Sequence, residues 1–336
     1  MAIAWMDGFD AIAGNAAALQ TWLAAAGFQS ADLSDTNTAS VEADLGRAIQ
    51  LTLGTQAGNP SISRAVSGDV AVFSFALTAS EARARVCSVG GVDVDWSAST
   101  GRLHIGQTIG TDVLILDHRW QFDVVADRAA GTLAVWVNGG DAPQVEASGL
   151  TFADGDLAIT WGQYGAAAAP AVLLLDDVIG IDANPGQYVA PARMPTRRVF
   201  THLPTADAAA GWDLVAGSGY ASHAAAVGQV LADTAVAAAL QSNVAGAADL
   251  YTATPASLDG TPDVLAVAVT AYARKGDLDD RSIGLALGAD GAVTAETPRT
   301  LGQDYQFHQA VFEQQPDGSA WGAWPLADLQ FGIVAR

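Results

Sequence analysis

The sequence has 336 residues, half of them apolar, and its 36 acidic and 15 basic side chains give a net charge of −21. Nucleic-acid affinity comes largely from basic side chains that displace counterions from phosphates, so this composition argues against DNA or RNA binding and against anionic membrane surfaces. No stretch approaches the roughly 20 uninterrupted apolar residues that span a bilayer, so we expect no membrane insertion.

Two further features bear on the compartment. The first ten residues reach an acid at Asp7 without a basic segment before it, which predicts the absence of a cleaved signal peptide. The single cysteine, Cys87, rules out an intrachain disulfide and is expected to be a small buried apolar residue. These features favour folding in a bacterial cytoplasm.

A short helix is predicted for residues 15–26, after a first short strand. Asn15 suits the N-cap, Ala and Leu are strong helix formers, and Gly27 suits the position just after a helix end. Leu19 and Trp22 share one helical face, so we expect the helix to pack on the first domain.

From residue 40 onward the pattern indicates strands separated by turn signals at intervals of roughly 8 to 15 residues, which is typical of a β-sandwich. The predicted strands of the first half are 47–53, 70–77, 86–89, 92–96, 102–105, 144–146, 157–161 and 172–181.

The clearest structural signal is a hairpin at residues 118–139. Apolar and polar side chains alternate in both of its strands, and Gly131 can take the positive φ of a tight turn. We expect Trp120 and Phe122 in the core. Trp136 points away from its apolar neighbours, so it lies either on the outer face or in a sheet covered on both sides.

The chain is predicted to have two domains. Residues 1–183 form the first sandwich, residues 184–198 form a Pro/Arg-rich linker, and residues 199–336 form a smaller sandwich. The linker arginines are either solvated or a docking element for acidic surface on a partner. The docking candidates are Arg193, Arg197 and Arg198.

In the second domain the strand pattern returns after an Ala-rich segment, residues 208–246, whose conformation the sequence leaves open. Residues 221–240 have helical composition but ragged periodicity. The predicted strands are 264–274, 282–288, 305–313 and 330–334.

The predicted fold is therefore all-β, and several segments carry a family resemblance. The hairpin resembles the central hairpin of laminin-G-like, concanavalin-type jelly rolls. An ordered set of further segments resembles structural proteins of tailed bacteriophages or gene-transfer particles. These segments are residues 5–10, 174–178, 202–207, 211–212, 249–251, 269–275 and 324–333.

The resemblance implies a virion structural protein, assembled in the bacterial host cytoplasm, whose partners are other virion proteins and copies of itself. It does not imply a position on the particle, either capsid or tail. Residues 221–240 and the predicted N-terminal helix depart from the family pattern.

The sequence predicts no enzyme. Glucanases with a jelly-roll fold use two carboxylates about 5 Å apart, commonly from an E-x-D-x-x-E run. The nearest fragment, Glu42 and Asp44, is not followed by a second glutamate. No G-x-S-x-G, H-E-x-x-H, C-x-x-C or P-loop pattern occurs, and the five histidines are scattered.

Closely spaced aspartates raise the question of calcium, which binds through several oxygen ligands. The weak calcium candidates are Asp93, Asp95, Asp154 and Asp156. None fits an EF-hand loop, and solvated turns are the alternative explanation, so no cofactor is predicted.

Glycan recognition needs exposed aromatic side chains beside polar groups. In the first domain the candidates for glycan or subunit contact are Trp96, Trp136 and Trp161, and in the second they are Trp321 and Trp324. A core position is the alternative for each.

The leading hypothesis is a non-enzymatic virion component that acts in assembly and surface display as a homo-oligomer. The alternative is a glycan-binding adhesin that recognises host surface polysaccharide through the jelly-roll rim.

Overall fold

The computed structural model describes residues 1–43, 46–54, 59–81, 85–162, 171–186, 197–229, 239–254, 263–323 and 329–336. In these residues the fold is almost entirely antiparallel β-sheet with two short helices, which confirms the predicted all-β class. The chain divides into two compact units, Met1–Phe200 and Thr201–Arg336.

The first unit contains one helix and fifteen of the described strands. They are β1 (Ala2–Asp7), α1 (Ala16–Ala25), β2 (Gln29–Ala31), β3 (Thr38–Ala43), β4 (Gly46–Leu53), β5 (Ser61–Val66), β6 (Val70–Ala79), β7 (Arg85–Val89), β8 (Val92–Trp96), β9 (Leu103–Ile105), β10 (Thr108–Ile109), β11 (Trp120–Asp127), β12 (Thr132–Val137), β13 (Val145–Ala147), β14 (Leu157–Gly162) and β15 (Ala171–Asp182).

These strands form the two sheets of a jelly-roll sandwich. The eight-stranded sheet has the order β13-β12-β11-β6-β15-β4-β3, with β1 paired to β15, and the seven-stranded sheet has the order β10-β9-β8-β7-β14-β5-β2. Phe75 and Phe122 from the first sheet and Trp161 from the second meet in the core, where none is exposed. Cys87 is also fully buried, as predicted.

The predicted hairpin is confirmed, with one difference. Phe122 on β11 lies opposite Val137 on β12, and the turn contains Gly131 at φ +65°. Trp120 is only half-buried, so the prediction that it lies in the core is wrong. It begins the strand at the sandwich end, where its indole N–H donates to the Ile115 carbonyl at 2.8 Å.

The predicted helix is also confirmed. The Asn15 side chain accepts a hydrogen bond from the Ala18 N–H at 3.0 Å, and Gly27 after the helix has φ +84°. Leu19 and Trp22 are completely buried, because the helix turns this face to the sandwich core.

The second unit contains the remaining described elements. They are β16 (Ala206–Ala210), β17 (Asp213–Leu214), α2 (His223–Val227), β18 (Leu240–Gln241), β19 (Ala248–Thr252), β20 (Asp263–Val264), β21 (Val267–Ala273), β22 (Ser282–Ala289), β23 (Ala292–Thr300), β24 (Gln306–Phe312), β25 (Gly322–Ala323) and β26 (Gln330–Ala335).

The second unit is a smaller sandwich. A five-stranded sheet, β16-β19-β26-β22-β23, packs against the β21–β24 pair. Leu285 and Leu287 from the sheet and Val269 and Ala310 from the pair form its core. The four strands predicted here are present, whereas β23 was not predicted. β23 contains Pro298 and lies at the sheet edge, the position where proline is tolerated because one side of the strand needs no N–H donor.

The boundary between the units falls later than the predicted linker. The Arg197 N–H donates to the Gln121 side chain at 3.0 Å, and the Val199 N–H donates to Asp177 at 2.8 Å. These bonds fix residues 197–199 to the eight-stranded sheet, so this segment belongs to the first unit. Residues 187–196, including Arg193, lie outside the described residues.

Candidate functional site

Two of the predicted glycan or subunit contacts in the first unit are core residues. Trp96 is 1% exposed and Trp161 is 0% exposed, because their positions on β8 and β14 point between the two sheets. They cannot reach a ligand at the surface, so this prediction is wrong for both. In the second unit Trp321 is likewise buried, and Trp324 lies outside the described residues.

Trp136 has a different position. It is half-buried on the outer face of the eight-stranded sheet, in register with Asp123 on β11. Asp123 is 1% exposed on that same face, so the sheet is covered on both sides there, and the contact of Trp136 with a glycan or a subunit stays a prediction.

The docking prediction for Arg197 is wrong. Its guanidinium forms an ion pair with Asp123, and both side chains are almost fully buried on the outer face of the sheet. Asp123 also accepts a hydrogen bond from the Ser74 hydroxyl at 2.6 Å. A buried carboxylate needs such partners, so the arginine serves the fold of this chain. Arg198 lies 3.6 Å from Asp177 and stacks over Phe200, which also engages it within the unit.

A second buried acidic group adjoins this pair. Asp177, at φ +50° in a bulge of β15, forms an ion pair with Arg119 and accepts the Val199 N–H. Its neighbour Asp176 is less well paired, since its carboxylate is 3.8 Å from Arg119. Burial first, and then the charge of Asp177, raise the pKa of Asp176 to about 7.

The calcium candidates do not converge. Asp93 and Asp95 flank Arg85, at 2.6 and 3.7 Å from its guanidinium, so an arginine occupies the place that a cation would take. Asp154 and Asp156 are exposed in the loop before β14. Within the described residues no three His, Cys, Asp or Glu side chains are grouped to hold a metal ion.

The second unit carries an aromatic surface that the sequence reasoning missed. In the β21–β24 pair, Val269 and Ala310 face the core. Since side chains alternate between the faces of a strand, Tyr272 and Phe307, which are also paired across the two strands, point to the opposite face. Tyr305, just before β24, joins them. We call Tyr272, Tyr305 and Phe307 the aromatic row.

The aromatic row is closely packed and ends in a cation. Tyr272 lies between the other two rings, at centroid distances of 5.0 Å from Tyr305 and 5.0 Å from Phe307. The Arg274 guanidinium lies 4.8 Å from the centroid of Tyr305 and is exposed. All three residues are half-buried, so part of each side chain reaches solvent.

Polar side chains continue the same face. The Gln309 amide donates to the Thr270 hydroxyl at 3.1 Å, two register positions from the Tyr272–Phe307 pair and on the same face. The surface therefore offers apolar ring edges next to hydroxyl, amide and guanidinium groups. This combination suits a ligand with both C–H surface and many hydroxyl groups, because rings contact the former and polar groups bind the latter.

A buried polar cluster lies elsewhere in the second unit. Asp249, with no exposed surface, accepts hydrogen bonds from Gly211 N–H at 2.6 Å, Trp212 N–H at 2.8 Å and the Tyr251 hydroxyl at 3.0 Å. His223 Nδ1 lies 2.6 Å from the same carboxylate. Burial and then the Asp249 charge raise the pKa of Tyr251. The cluster ties β19, α2 and the loop before β17 together.

Comparisons with known proteins give structural matches only. No family model matches the chain, and no curated protein matches it. A sialidase structure matches at TM-score 0.41 and 11% identity over 55% of this chain and 19% of the sialidase, so the chain spans about a fifth of that protein. An alginate lyase matches at TM-score 0.39 and 9% identity, over 54% of this chain and 98% of the lyase.

A third similar structure is the fourth domain of an extracellular arabinanase from Geobacillus stearothermophilus, in complex with arabinotriose. It matches at TM-score 0.33 and 13% identity, over 46% of this chain and 81% of the other. At these values none of the matches assigns a function to the chain. Among the described residues, no helix has the length and apolar character needed to cross a membrane.

Proposed function

We propose that this chain is a non-catalytic glycan-binding protein that contacts polysaccharide through the aromatic row of its second unit. The observation that carries the proposal is the stack of Tyr272, Tyr305 and Phe307 on the outer face of β21 and β24, flanked by Thr270 and Gln309. Large aromatic side chains are normally packed away from solvent, and a group of them on an outer face beside hydrogen-bonding side chains is typical of a binding surface.

The rings and the hydroxyl groups of the aromatic row contact different parts of a sugar. The rings present apolar edges that can contact the C–H faces of sugar rings, and this contact releases water from both surfaces. The hydroxyl groups of Tyr272 and Tyr305 both donate and accept hydrogen bonds, which matches the vicinal hydroxyls of a sugar. An extended chain of sugars can lie along such a row without entering a cavity.

This proposal places the glycan-binding site of the adhesin hypothesis in the second unit and not in the first. The sequence predicted recognition by the rim of the first sandwich, through tryptophans of which two are buried. The aromatic row lies in the second unit and is built from tyrosine and phenylalanine. Among the described residues, Trp136, which is half-buried, is the remaining candidate of the original set.

The experiment is a glycan array followed by affinity electrophoresis in gels that contain the polysaccharides found to bind. We expect Tyr272→Ala to abolish retardation, because it removes the central ring of the row. Tyr220→Ala, in a half-buried tyrosine of the same unit, is the matched control and should bind as the wild type does. Retardation of Tyr272→Ala equal to that of the wild type would refute the proposal, and loss in Trp136→Ala instead would move the site to the first unit.

A second candidate function is the virion role that the sequence resemblance implies. The observation that favours it is a group of exposed apolar side chains between β9 and β11, where Ile109, Val113 and Ile115 are 53%, 59% and 67% exposed. Apolar surface of this kind suits contact with another virion protein or with a copy of the same chain. Assembly through the first unit and glycan binding through the second are compatible.

The assembly role is tested separately from glycan binding. Sedimentation of the purified chain with Ile115→Ser would measure self-association, and a map of the intact particle would locate the chain. If the wild-type chain stays a monomer at all concentrations and is missing from the particle, the virion role is excluded. A change in the oligomeric state of Tyr272→Ala would instead mark the aromatic row as a protein interface.

A further inference from the structure

The aromatic row ends in the guanidinium group of Arg274, to which the residues described by the structure supply no ion pair. The Arg274 guanidinium lies 4.8 Å from the Tyr305 ring centroid, which is its described contact. Arg281 and Arg336 behave differently, since each holds a carboxylate, at 2.8 Å from Asp277 and in a bidentate contact with Glu296 respectively. Among the residues that the structure describes, no carboxylate lies within 4.0 Å of Arg274.

Most of the described arginines form an ion pair with a carboxylate, whereas no ion pair is described for Arg274. Acids outnumber bases 36 to 15, so most arginines can find a carboxylate at little cost. The Arg274 side chain is exposed, and stacking on Tyr305 restricts its position without using its N–H donors. A guanidinium held in this way keeps its planar fork of donors available for a carboxylate from outside.

A second cationic side chain, that of Arg299, lies beside β24. Arg299 on β23 donates its Nε–H to the backbone carbonyl of Gln309 at 2.9 Å, which places it at the edge of β24 next to the polar end of the row. Its described partners are carbonyl groups, of Gln309 and Pro298. Arg274 and Arg299 are therefore two guanidinium groups near the aromatic row for which no carboxylate partner is described.

We propose that the aromatic row selects polysaccharides whose sugars carry a carboxylate, and that Arg274 binds that carboxylate through its guanidinium fork. The inference rests on the proposed glycan-binding function and names its ligand class. The rings contact the sugar face, the phenol groups bind hydroxyls, and Arg274 fixes the acidic substituent at the end of the row. Neutral sugars can use the rings but leave the guanidinium without a partner.

The test compares two polymers with the same backbone, polygalacturonate and its methyl ester, in which the carboxylate charge is removed. Affinity electrophoresis and calorimetry at one ionic strength should show that the wild-type chain binds polygalacturonate at least about tenfold more tightly, since hydrogen bonds to charged groups contribute about 1.5–3 kcal/mol. Alginate and hyaluronan extend the comparison to other uronates, and dextran sulfate distinguishes sulfate from carboxylate.

Three variants separate this inference from the proposed function. Arg274→Gln should lose the preference for the free acid and retain binding to the methyl ester. Lys275→Gln removes the same charge one residue away, where the ammonium group donates to the Asp279 carbonyl at 2.8 Å, and should keep the preference. Tyr272→Ala should lose binding to both polymers.

The outcomes are distinguishable. If Arg274→Gln keeps the wild-type preference, or if the wild-type chain binds the ester as tightly as the acid, the carboxylate inference is overturned and glycan binding stands. Stronger binding to dextran sulfate than to every uronate also overturns it, in favour of sulfate recognition. If the wild-type chain binds none of these polymers and no array glycan, both proposals fail.

Discussion

Tyr272 and Tyr305 stack with their ring centroids 5.0 Å apart and their planes at 19°, although they are separated in the chain by β22 and β23. The stack lies on the face of β21 and β24 that points away from the core of the second unit. The phenol of Tyr272 has a raised pKa, first because of partial burial and then because of the adjacent Tyr305. The Tyr272 phenol is therefore neutral at neutral pH.

Because the aromatic row faces outward, we expect its removal to cost little stability. Tyr272→Ala should lower the free energy of unfolding by about 0.5–1.5 kcal/mol, the contribution of an aromatic pair. Leu285→Ala, in the core of the same unit, should cost about 2–5 kcal/mol. Urea unfolding followed by tryptophan fluorescence measures both. If the two variants lose equal stability, the aromatic row belongs to the core. A loss of binding in Tyr272→Ala would then report unfolding and not the removal of a ligand contact.

Asp176 should make the first unit less stable as the pH rises. Its folded pKa of about 7 lies above the unfolded value of 3.8, so folding favours the protonated form. The stabilisation that this proton confers is complete below pH 3.8, falls as the pH rises towards 7, and is lost above that. Asp176→Asn should therefore be more stable than the wild type at pH 8 and equal to it near pH 4.

The gain in Asp176→Asn has an upper bound of about 4 kcal/mol, because one unit of pKa corresponds to about 1.4 kcal/mol. Thermal unfolding of both proteins from pH 4 to pH 8 measures it. Asp177→Asn is the control and should be destabilising, since it removes the partner of Arg119. A variant Asp176→Asn that is less stable than the wild type at pH 8 would show that this carboxylate is stabilising.

The buried pair of Arg197 and Asp123 should be costly to break from one side. Arg197→Met removes the described counter-ion of the buried Asp123 carboxylate, so we expect a loss of about 3–5 kcal/mol. Arg281→Met, which breaks the exposed pairs with Asp277 and Asp279, is the surface comparison and should cost far less.

A double variant identifies the cause of this loss. Arg197→Met combined with Asp123→Leu removes both charges and should recover part of the stability lost by Arg197→Met alone. Chemical unfolding of the single and double variants gives the coupling energy. If the losses are additive, the arginine acts through its packing, and the ion pair contributes nothing of its own.

Asp249 should be a critical residue of the second unit. Asp249→Asn replaces an acceptor oxygen by an N–H₂ group that faces other donors, so several of the contacts from Gly211, Trp212, Tyr251 and His223 become unfavourable. Tyr251→Phe removes one of these bonds and should cost about 0.5–1.5 kcal/mol. Asp249→Asn should cost at least twice as much in urea unfolding, and equal losses would contradict the central role of the carboxylate.

Local patterns predicted local structure well. Asn15 and Gly27 bracket the first helix as expected, and the strands near residues 70–77, 282–288 and 330–334 are present, because short apolar runs between turn residues are typical of strands. The candidate binding residues were predicted less well. The strands that hold Tyr272 and Phe307 were predicted, but their pairing was not, so nothing indicated that the two rings meet.

The sequence by itself determined the all-β class, the hairpin of β11 and β12 and the strongly acidic composition, because these properties depend on composition and on patterns over a few residues. Only the tertiary structure decided which aromatic and charged side chains reach solvent. It buried Trp96, Trp161 and Arg197, and it placed Tyr272 beside Tyr305 and Arg274. The burial and the contacts of a side chain depend on how distant strands pair and on which face of each strand meets the core. Alternation with a period of two assigns side chains to the two faces of a strand, but it does not say which face the rest of the protein covers.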